Sequence, residues 1–460
     1  MFVVNNPDSL ADVNGKPDSS RAGTLLAGAA AFDITPRNSR FLWGYPHVER
    51  MSAGIHDPLL ASAIHLWDGA EGVVFVSCDV LFVSKDLAAR ARSRIAALTG
   101  LEVSHIAISA THTHSGPKTA NTLGQAADPV VPPADDAYLI QMEDGIVEAA
   151  VSAWRRRIPA EAGFAWGDGT GLGTNRHDPQ GVSDLKIPVL MLRALEGGDP
   201  IALMVTACMH PTVLHEDSKL FSGDFPGLAR QHLQRALGDI PVVYNSGAAG
   251  NQSPRHVTRG NTFEEAERLG EILSKAVLAT LPEMDFQSCV PISCRSGMVD
   301  LPLRALPSVA QAEAELQAAR TRWEKLRRDG GPHAEVRTAE CDCFGAEKTV
   351  VLAKTVESGE LEAALASILP AEIQVFSIGP RTYVTWPGEM FVEFGLAVSA
   401  ARPETCVISL TNGYLGGYLV TREAVDRRFY EAGNALLASP AAGELLVGAT
   451  RRLIEKIQQH

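Results

Sequence analysis

Residues 72–117 read GVVFVSCDVLFVSKDLAARARSRIAALTGLEVSHIAISATHTHSGP, and they decide the fold class. The run over 72–79 is short and apolar, which is typical of a buried strand. Residues 84–98 then carry apolar residues at helical spacing, with Ser84 as a candidate N-cap. The apolar run at 105–109 reads as a second strand. A strand, a helix and a further strand in this order indicate an α/β fold.

The same alternation returns along the rest of the chain. We therefore predict an α/β protein whose mixed β-sheet core is flanked by helices. Further strands are predicted at 201–208, 241–244, 373–378, 382–386 and 406–410, and further helices at 225–237, 263–281 and over the last twenty residues.

Composition narrows the classes of partner. The 460 residues are 45% hydrophobic and 21% charged, as in ordinary globular proteins. The net charge of −13 repels phosphate backbones, so we expect no nucleic-acid partner. No stretch approaches the roughly 20 apolar residues that cross a bilayer, so we expect no membrane insertion. The seven cysteines are sparse and read as reduced thiols.

The domain organisation is predicted to be simple. Residues 1–24 lack the basic and apolar regions of a secretory signal, so they read as a flexible polar arm of a cytoplasmic protein. Residues 25–460 read as one domain with a helical insertion at about 304–350. A charged helix from about Ser308 to Arg328 belongs to that insertion, where it could be a homo-oligomer interface or a solvated lid.

Polar residues follow the ends of several predicted strands. His112 and His114 come after the strand at 105–109, and His210 follows the one at 201–208. In open α/β sheets, ligands bind beyond the carboxyl ends of the strands, so these residues form one candidate site. Imidazole is a good Zn²⁺ ligand, and a catalytic zinc needs only three or four protein ligands. Taken alone, each histidine could equally be a hydrogen-bonded turn residue.

Further candidates lie near the C-terminus. Glu389 follows a predicted strand and a Pro-Gly turn, although an acid there could simply stabilise the N-terminus of the next helix. Tyr414, Tyr418 and Tyr430 are of the kind that usually pack with one hydrogen bond. The Gly-rich turns SGDFPG (222–227) and AAGNQSP (248–254) could line a substrate pocket with small residues and backbone amides. The residues by themselves indicate a plausible metal site.

An ordered set of motifs resembles the neutral ceramidase family, specifically its catalytic domain. The resemblance runs from about residue 25 to the C-terminus and implies that family's fold. It rests on AGAAAFDITP (27–36), GYP (44–46), GIHDPLLASAIHL (54–66), ATHTHSGP (110–117), MHPTVL (209–214), SGDFPG, AAGNQSP, WPGE (386–389) and YLGGYLVTREAVDRRFYEAG (414–433).

The resemblance implies one zinc ion per chain and a set of ligands. Carried over to this sequence, the metal ligands are His112, His210, Glu389 and Tyr418. Tyr418 is preferred to Tyr414 because it directly precedes Leu-Val-Thr-Arg, as the family's tyrosine precedes its Val-Thr-Thr run.

Catalytic and substrate-contacting residues are implied as well. His114, Arg176 and Tyr430 fall where the family keeps those groups, Arg176 by a short match only. Zinc lowers the pKa of bound water toward about 7, which supplies the nucleophile for amide hydrolysis. Either His114 or Glu389 could carry the proton to the leaving amine.

Two departures from the family bear on the substrate. The sequence ends 30 residues after Tyr430, so we expect no C-terminal immunoglobulin-like domain, and it shows no signal peptide. Both favour a small soluble N-acyl compound, such as an N-acyl amine or N-acylated amino acid, over ceramide. A metal-dependent esterase or lactonase and a non-catalytic binding protein on the same fold are the alternatives.

Overall fold

The computed structural model describes residues 23–458, so nearly all of the arm predicted at 1–24 lies outside the described residues. The strands are β1 (Leu26–Asp33), β2 (Leu42–Trp43), β3 (Gly54–Ile55), β4 (Leu60–Trp67), β5 (Gly72–Cys78), β6 (Ile106–Ala110), β7 (Gly116–Pro117), β8 (Ile158–Asp168), β9 (Thr174–Asn175), β10 (Lys186–Ala194), β11 (Pro200–Ala207), β12 (Leu220–Phe221), β13 (Val242–Ser246), β14 (Gln252–Ser253), β15 (Phe286–Gln287), β16 (Ile292–Val299), β17 (Ala371–Ile378), β18 (Arg381–Thr385), β19 (Glu389–Met390), β20 (Thr405–Ile408) and β21 (Tyr418–Leu419). The helices are α1 (Lys85–Thr99), α2 (Asp136–Arg155), α3 (Asp224–Leu237), α4 (Phe263–Leu278), α5 (Val309–Arg328), α6 (His333–Glu357), α7 (Leu361–Ala366), α8 (Val392–Ala401), α9 (Arg422–Asp426), α10 (Tyr430–Asn434) and α11 (Pro440–Gln458). Short 3₁₀ turns occur at Val103–His105, Gln125–Ala127, Pro254–His256 and Leu281–Glu283.

Helix α1 shows why the local predictions hold. The Ser84 side chain accepts a hydrogen bond from the backbone N–H of Leu87, and Gly100 ends the helix in the left-handed conformation at φ 77°. Leu87, Ala91 and Ile95 lie four residues apart on one face and are buried in the core beneath the sheet. The N-cap and helix predicted from residues 84–98 are therefore confirmed.

The main sheet is mixed. Among the described residues it runs in the order β13-β11-β10-β8-β1-β4-β5-β6, with β15 also paired to β8. Its inner pairs are antiparallel, whereas the outermost pair at each end, β5 with β6 and β11 with β13, is parallel.

The two ends of this sheet curl toward each other. The Ser109 hydroxyl of β6 donates to the Asn245 side-chain oxygen of β13 at 2.9 Å, and the Ser77 hydroxyl of β5 donates to the Tyr244 carbonyl. One buried apolar cluster joins residues of both halves, such as Phe75 and Met204. The carboxyl ends of β6, β11 and β13 therefore open onto the same region.

A second sheet, in the order β16-β17-β18-β20, completes the core. Phe376 and Tyr383 from this sheet pack against Phe75 of the main sheet, with ring centroids 4.8 and 5.8 Å away. The segment after β20 connects the two ends of the main sheet, because Ser409 N–H donates to Ser246 O and Asn412 N–H donates to Ile108 O.

Helices α5, α6 and α7 lie between β16 and β17 in the chain. Helix α5 begins after a capping box formed by Ser308 and Gln311, as expected for the charged helix predicted at 308–328. Helix α6 overlaps the helical insertion predicted at about 304–350, but its own bounds were not predicted, because its polar and apolar residues follow no clear amphipathic pattern. The α/β class with flanking helices is confirmed, and none of the described helices is both long and apolar enough to span a bilayer.

Candidate metal centre

The loop after β6 carries His112 and His114. His112 has a left-handed backbone, φ 71°, held by a hydrogen bond from its N–H to the Val80 carbonyl. Its Nδ1 lies 3.0 Å from the Leu81 carbonyl oxygen, and Nδ1 of His114 lies 3.0 Å from that of Gly44. A Cβ on Gly44 would lie 2.5 Å from the His114 ring, so this position admits only glycine. Both imidazole rings are thus fixed by the backbone.

His210 follows β11, and Glu389 follows β18. Nδ1 of His210 lies 2.7 Å from the Ala249 carbonyl oxygen. The Oε2 atom of Glu389 lies 3.2 Å from Nε2 of His112 and 3.3 Å from Nε2 of His210. Both histidines and Glu389 are more than nine-tenths buried.

The three histidines form a cluster in which one nitrogen from each lies within 4.8 Å of the others. Because a carbonyl oxygen only accepts, Nδ1 of His112, His114 and His210 carries the ring proton, and each Nε2 presents a lone pair. Among residues 23–458, the buried Nε2 atoms of His112 and His114 have no hydrogen-bond partner. This is the tautomer that metal-binding histidines adopt when a backbone carbonyl orients them.

Electrostatics favour a cation at this point. Burial lowers the pKa of His210 to about 4, against the attraction of the Glu389 carboxylate, so the ring is neutral near pH 7. Burial, together with His112 and His210, also holds the pKa of His114 well below its usual value. Burial alone would raise the pKa of Glu389, but His112 and His210 hold it far below its ordinary range. Neutral imidazole lone pairs facing a carboxylate fit a bound divalent metal such as zinc.

Tyr418 lies beside Glu389, because β21 pairs in parallel with β19 and places these two residues opposite each other. The Tyr414 hydroxyl instead donates to the Asn121 carbonyl at 3.3 Å, and its ring stacks on Phe82. Of the two tyrosines, Tyr418 is therefore the one beside Glu389. The Tyr418 hydroxyl faces that of Tyr430, whereas His114 is part of the histidine cluster.

Tyr430 and Arg176 lie next to Tyr418. The two tyrosine hydroxyls are 3.4 Å apart, and the Arg176 guanidinium carbon lies 5.2 Å from the Tyr418 ring centroid and 4.9 Å from that of Tyr430. Of the predicted residues, His112, His114, His210 and Glu389 form the cluster, and Tyr418, Tyr430 and Arg176 form a group at its side.

The sequence reasoning missed Glu431 and His177. Glu431 is fully buried, and its Oε1 lies 2.7 Å from Nε of Arg176 and 2.8 Å from Nε2 of His177. Burial would raise the pKa of Glu431, but Arg176 and His177 hold it below the usual value. Glu431 lies inside the motif FYEAG, so the signal was present, but its partner lies 255 residues away in sequence.

The Gly-rich motifs contact the loops that carry the candidate ligands. Besides the Ala249 carbonyl that orients His210, Gly250 packs so closely on Met390 that a Cβ there would lie 2.8 Å from its carbonyl carbon. In the other motif, the Ser222 carbonyl accepts a hydrogen bond from the Thr113 hydroxyl at 2.7 Å. Asp57, also not predicted, accepts from the Ser222 hydroxyl at 2.5 Å. These contacts fix both histidine loops.

Fold and site together define a class: an α/β protein with a buried histidine and carboxylate cluster, suited to a metal, at the ends of its sheet strands. Residues 25–242 match the family model described as neutral/alkaline non-lysosomal ceramidase, N-terminal. Residues 25–242 of the chain thus carry the N-terminal domain of the neutral/alkaline ceramidase family, which its motifs resemble.

Individual relatives agree with this assignment. The neutral ceramidase of Pseudomonas aeruginosa is 25% identical over 467 aligned positions, which cover 89% of this chain and 68% of that protein. A neutral ceramidase of Oryza sativa subsp. japonica is 25% identical over 241 positions, or 46% of this chain and 29% of that protein.

Solved structures show the same fold. The crystal structure of neutral ceramidase from Pseudomonas aeruginosa matches with a TM-score of 0.70 at 21% identity, covering 94% of this chain and 75% of that one. A ceramidase complexed with C2 matches with a TM-score of 0.69 at 19% identity, covering 94% and 76%.

Proposed function

We propose that this protein is a zinc-dependent hydrolase that cleaves the amide bond of an N-acyl compound. The observation that carries the proposal is the convergence of Nε2 of His112 and His210 on Oε2 of Glu389, at 3.2 and 3.3 Å. The relatives named neutral ceramidase support the amide class of substrate. Zinc in such a site supplies a water molecule with a pKa lowered to about 7 and positive charge for the substrate carbonyl.

The remaining steps are assigned to the protein's own residues. His112, His210 and Glu389 would hold the metal, with Tyr418 beside Glu389. The Nδ1–H of His114 donates a hydrogen bond to the Gly44 carbonyl, which leaves the lone pair on Nε2. This Nε2 accepts a proton from the attacking water and then passes it to the leaving amine. This favours His114 over Glu389 as the proton carrier, since Glu389 is engaged with the two ligand histidines.

Tyr430 donates to the oxygen that becomes negatively charged in the transition state. Arg176 lies over its ring and is itself held by Glu431, so the donor is oriented before substrate binds. One such preoriented donor typically contributes about 2.7–4 kcal/mol to lowering the barrier.

The test is metal content together with amide hydrolysis. Protein purified without chelators should carry about one zinc per chain. It should release fatty acid from ceramide or from a soluble N-acyl amine. His112→Ala and His210→Ala should lose most of both. His232→Ala is the matched control, because His232 lies on α3 and pairs with Glu267 at 3.1 Å.

Three outcomes would contradict the proposal or favour an alternative function. Faster cleavage of an ester than of an amide with the same acyl group would favour the esterase reading. Full zinc content in His112→Ala and His210→Ala, or no turnover of any of these substrates by zinc-loaded protein, would contradict the proposed site or its activity.

A further inference from the structure

Helix α6 forms one wall beside the metal centre. Gly345 packs against Gly433 of α10, so closely that a Cβ on Gly345 would lie 3.2 Å from the Gly433 carbonyl carbon. Helix α10 begins at Tyr430, one of the groups beside the metal cluster. Glu347, which lies on α6, pairs with His47 at 2.9 Å, and His47 belongs to the segment that follows Gly44. Helix α6 therefore contacts the helix that begins at Tyr430 and the segment whose Gly44 carbonyl orients His114.

Lys348 is the charged residue that α6 presents toward this region. A Cβ on Gly124 would lie 2.7 Å from Lys348 Cγ, so the aliphatic stem rests against that glycine. Its Nζ donates to the Gly416 carbonyl at 3.1 Å, in the loop between Tyr414 and Tyr418. Within residues 23–458, no carboxylate lies within ion-pair distance of this ammonium group.

Lys354, on the same helix, differs from Lys348 in exposure and in the charge of its partner. Lys354 is mostly exposed and pairs with Glu313 at 3.0 Å. Lys348 is half-buried and has a neutral partner. Burial lowers the pKa of Lys348 to about 8, against the attraction of Glu389, so the group is still mostly protonated at pH 7.

A second cation near Lys348, Arg304, likewise has only neutral hydrogen-bond partners among the described residues. Arg304 donates to the Ala435 carbonyl at 2.9 Å and to the Thr349 hydroxyl at 2.8 Å, and its charge lowers the pKa of Lys348. In a chain with a net charge of −13, two neighbouring cations without carboxylate partners are unusual. A divalent metal held by two neutral imidazoles and one carboxylate would add further positive charge. Among the described residues, neither Lys348 nor Arg304 is within ion-pair distance of a carboxylate, so a carboxylate on a bound ligand can pair with Lys348.

We infer that the site takes amides bearing a carboxylate, of the N-acyl amino acid class, and that Lys348 binds that carboxylate. The inference rests on the proposed amide hydrolysis and names its substrate class. Lys348 is then a specificity residue, because its charge distinguishes an N-acyl amino acid from a neutral amide such as ceramide. A charge-assisted hydrogen bond from a half-buried ammonium is the interaction that makes this distinction.

The experiment compares two substrates that differ only in charge, N-hexadecanoylglycine and N-hexadecanoylglycinamide. The zinc-loaded parent should hydrolyse the acid with the higher kcat/KM. Lys348→Gln removes the charge but keeps a donor for Gly416. It should lower kcat/KM for the acid roughly 10- to 100-fold and change that for the neutral amide by less than about threefold. Lys348→Arg should restore most of the preference, and Lys354→Gln should leave it unchanged.

A second readout does not require turnover. Calorimetric binding of N-hexadecanoylglycine to metal-depleted protein should weaken in Lys348→Gln and persist in Lys348→Arg. An equal loss for both substrates in Lys348→Gln, or a parent that prefers the neutral amide, would show that Lys348 only supports the Gly416 loop. If the parent cleaves neither substrate nor ceramide, the proposed function fails. The binding comparison then decides separately whether Lys348 recognises the carboxylate.

Discussion

At the residue scale, His112 carries the strongest structural sign of a functional position. A non-glycine residue in the left-handed region costs about 1–3 kcal/mol, and such residues persist where the surroundings hold them. Here the Val80 and Leu81 carbonyls accept from the backbone N–H and from Nδ1, which aims Nε2 at Glu389. Sequence could single out His112 by its motif, but its conformation and tautomer depend on carbonyls about thirty residues away.

Tyr430→Phe should separate catalysis from metal binding. Removing a donor that acts mainly in the transition state should lower kcat about 100-fold, with zinc content unchanged. Tyr414→Phe is the matched control, because the Tyr414 hydroxyl donates to the Asn121 carbonyl and the variant keeps the ring that stacks on Phe82. Steady-state kinetics and elemental analysis measure both effects. Loss of zinc in Tyr430→Phe would instead place this tyrosine among the metal ligands.

Asp224, in the SGDFPG motif, should make stability depend on pH. Burial raises the pKa of this carboxyl to about 7, although backbone N–H groups of Leu214 and Phe225 oppose the shift. In the unfolded chain Asp224 loses its proton near pH 4, whereas in the native chain it keeps the proton up to about pH 7. The free energy of unfolding therefore falls as the pH rises from about 4 to about 7. Asp224→Asn removes this titration.

The measurement is the difference in Tm between Asp224→Asn and the parent across that range. The difference should shift in favour of the variant as the pH rises from 4 to 7, whatever its value at pH 4. A difference independent of pH would contradict a raised pKa for Asp224.

At the element scale, the contact of α6 with α10 connects the insertion to the site. The two helices approach at Gly345 and Gly433, where neither has a side chain between the backbones. Sequence predicted α5 from its charged composition, which is rich in Ala, Glu, Gln and Arg. It did not predict α6, because that helix is buried on several sides by α5, α10 and the turn at 125–127 rather than along one stripe.

Gly345→Val should therefore disturb the site through the helices. A branched side chain forced into this contact should cost about 1–3 kcal/mol of stability, as overpacked cores do. It should also lower activity, because α10 carries Tyr430 and α6 carries Lys348. Ala318→Val on the exposed surface of α5 controls for the helix propensity of valine. Unchanged Tm and activity in Gly345→Val would show that the two helices separate freely.

At the scale of the whole molecule, the metal should stabilise the fold. Its ligands follow three different strands, and the native state alone brings them together. Free zinc at 100 times its Kd should add about 2.7 kcal/mol. Chelation should thus lower Tm of the parent and leave Tm of a His112→Ala, His210→Ala double variant unchanged, as measured by calorimetry. An equal response of both proteins would mean that zinc binds elsewhere. Cytoplasmic location and self-association stay predictions.

The sequence by itself determined the local elements and the family. Strand runs, the Ser84 cap and the ordered motifs are short-range patterns, so they predict the α/β class and name His112, His210 and Glu389 as candidates. The tertiary structure decided which candidates meet. His112 and Glu389 are brought together because the main sheet curls until its two parallel edges adjoin and the second sheet packs against them. Pairings such as Arg176 with Glu431, and Lys348 with the Gly416 carbonyl, arise from the same long-range packing, which no local pattern encodes.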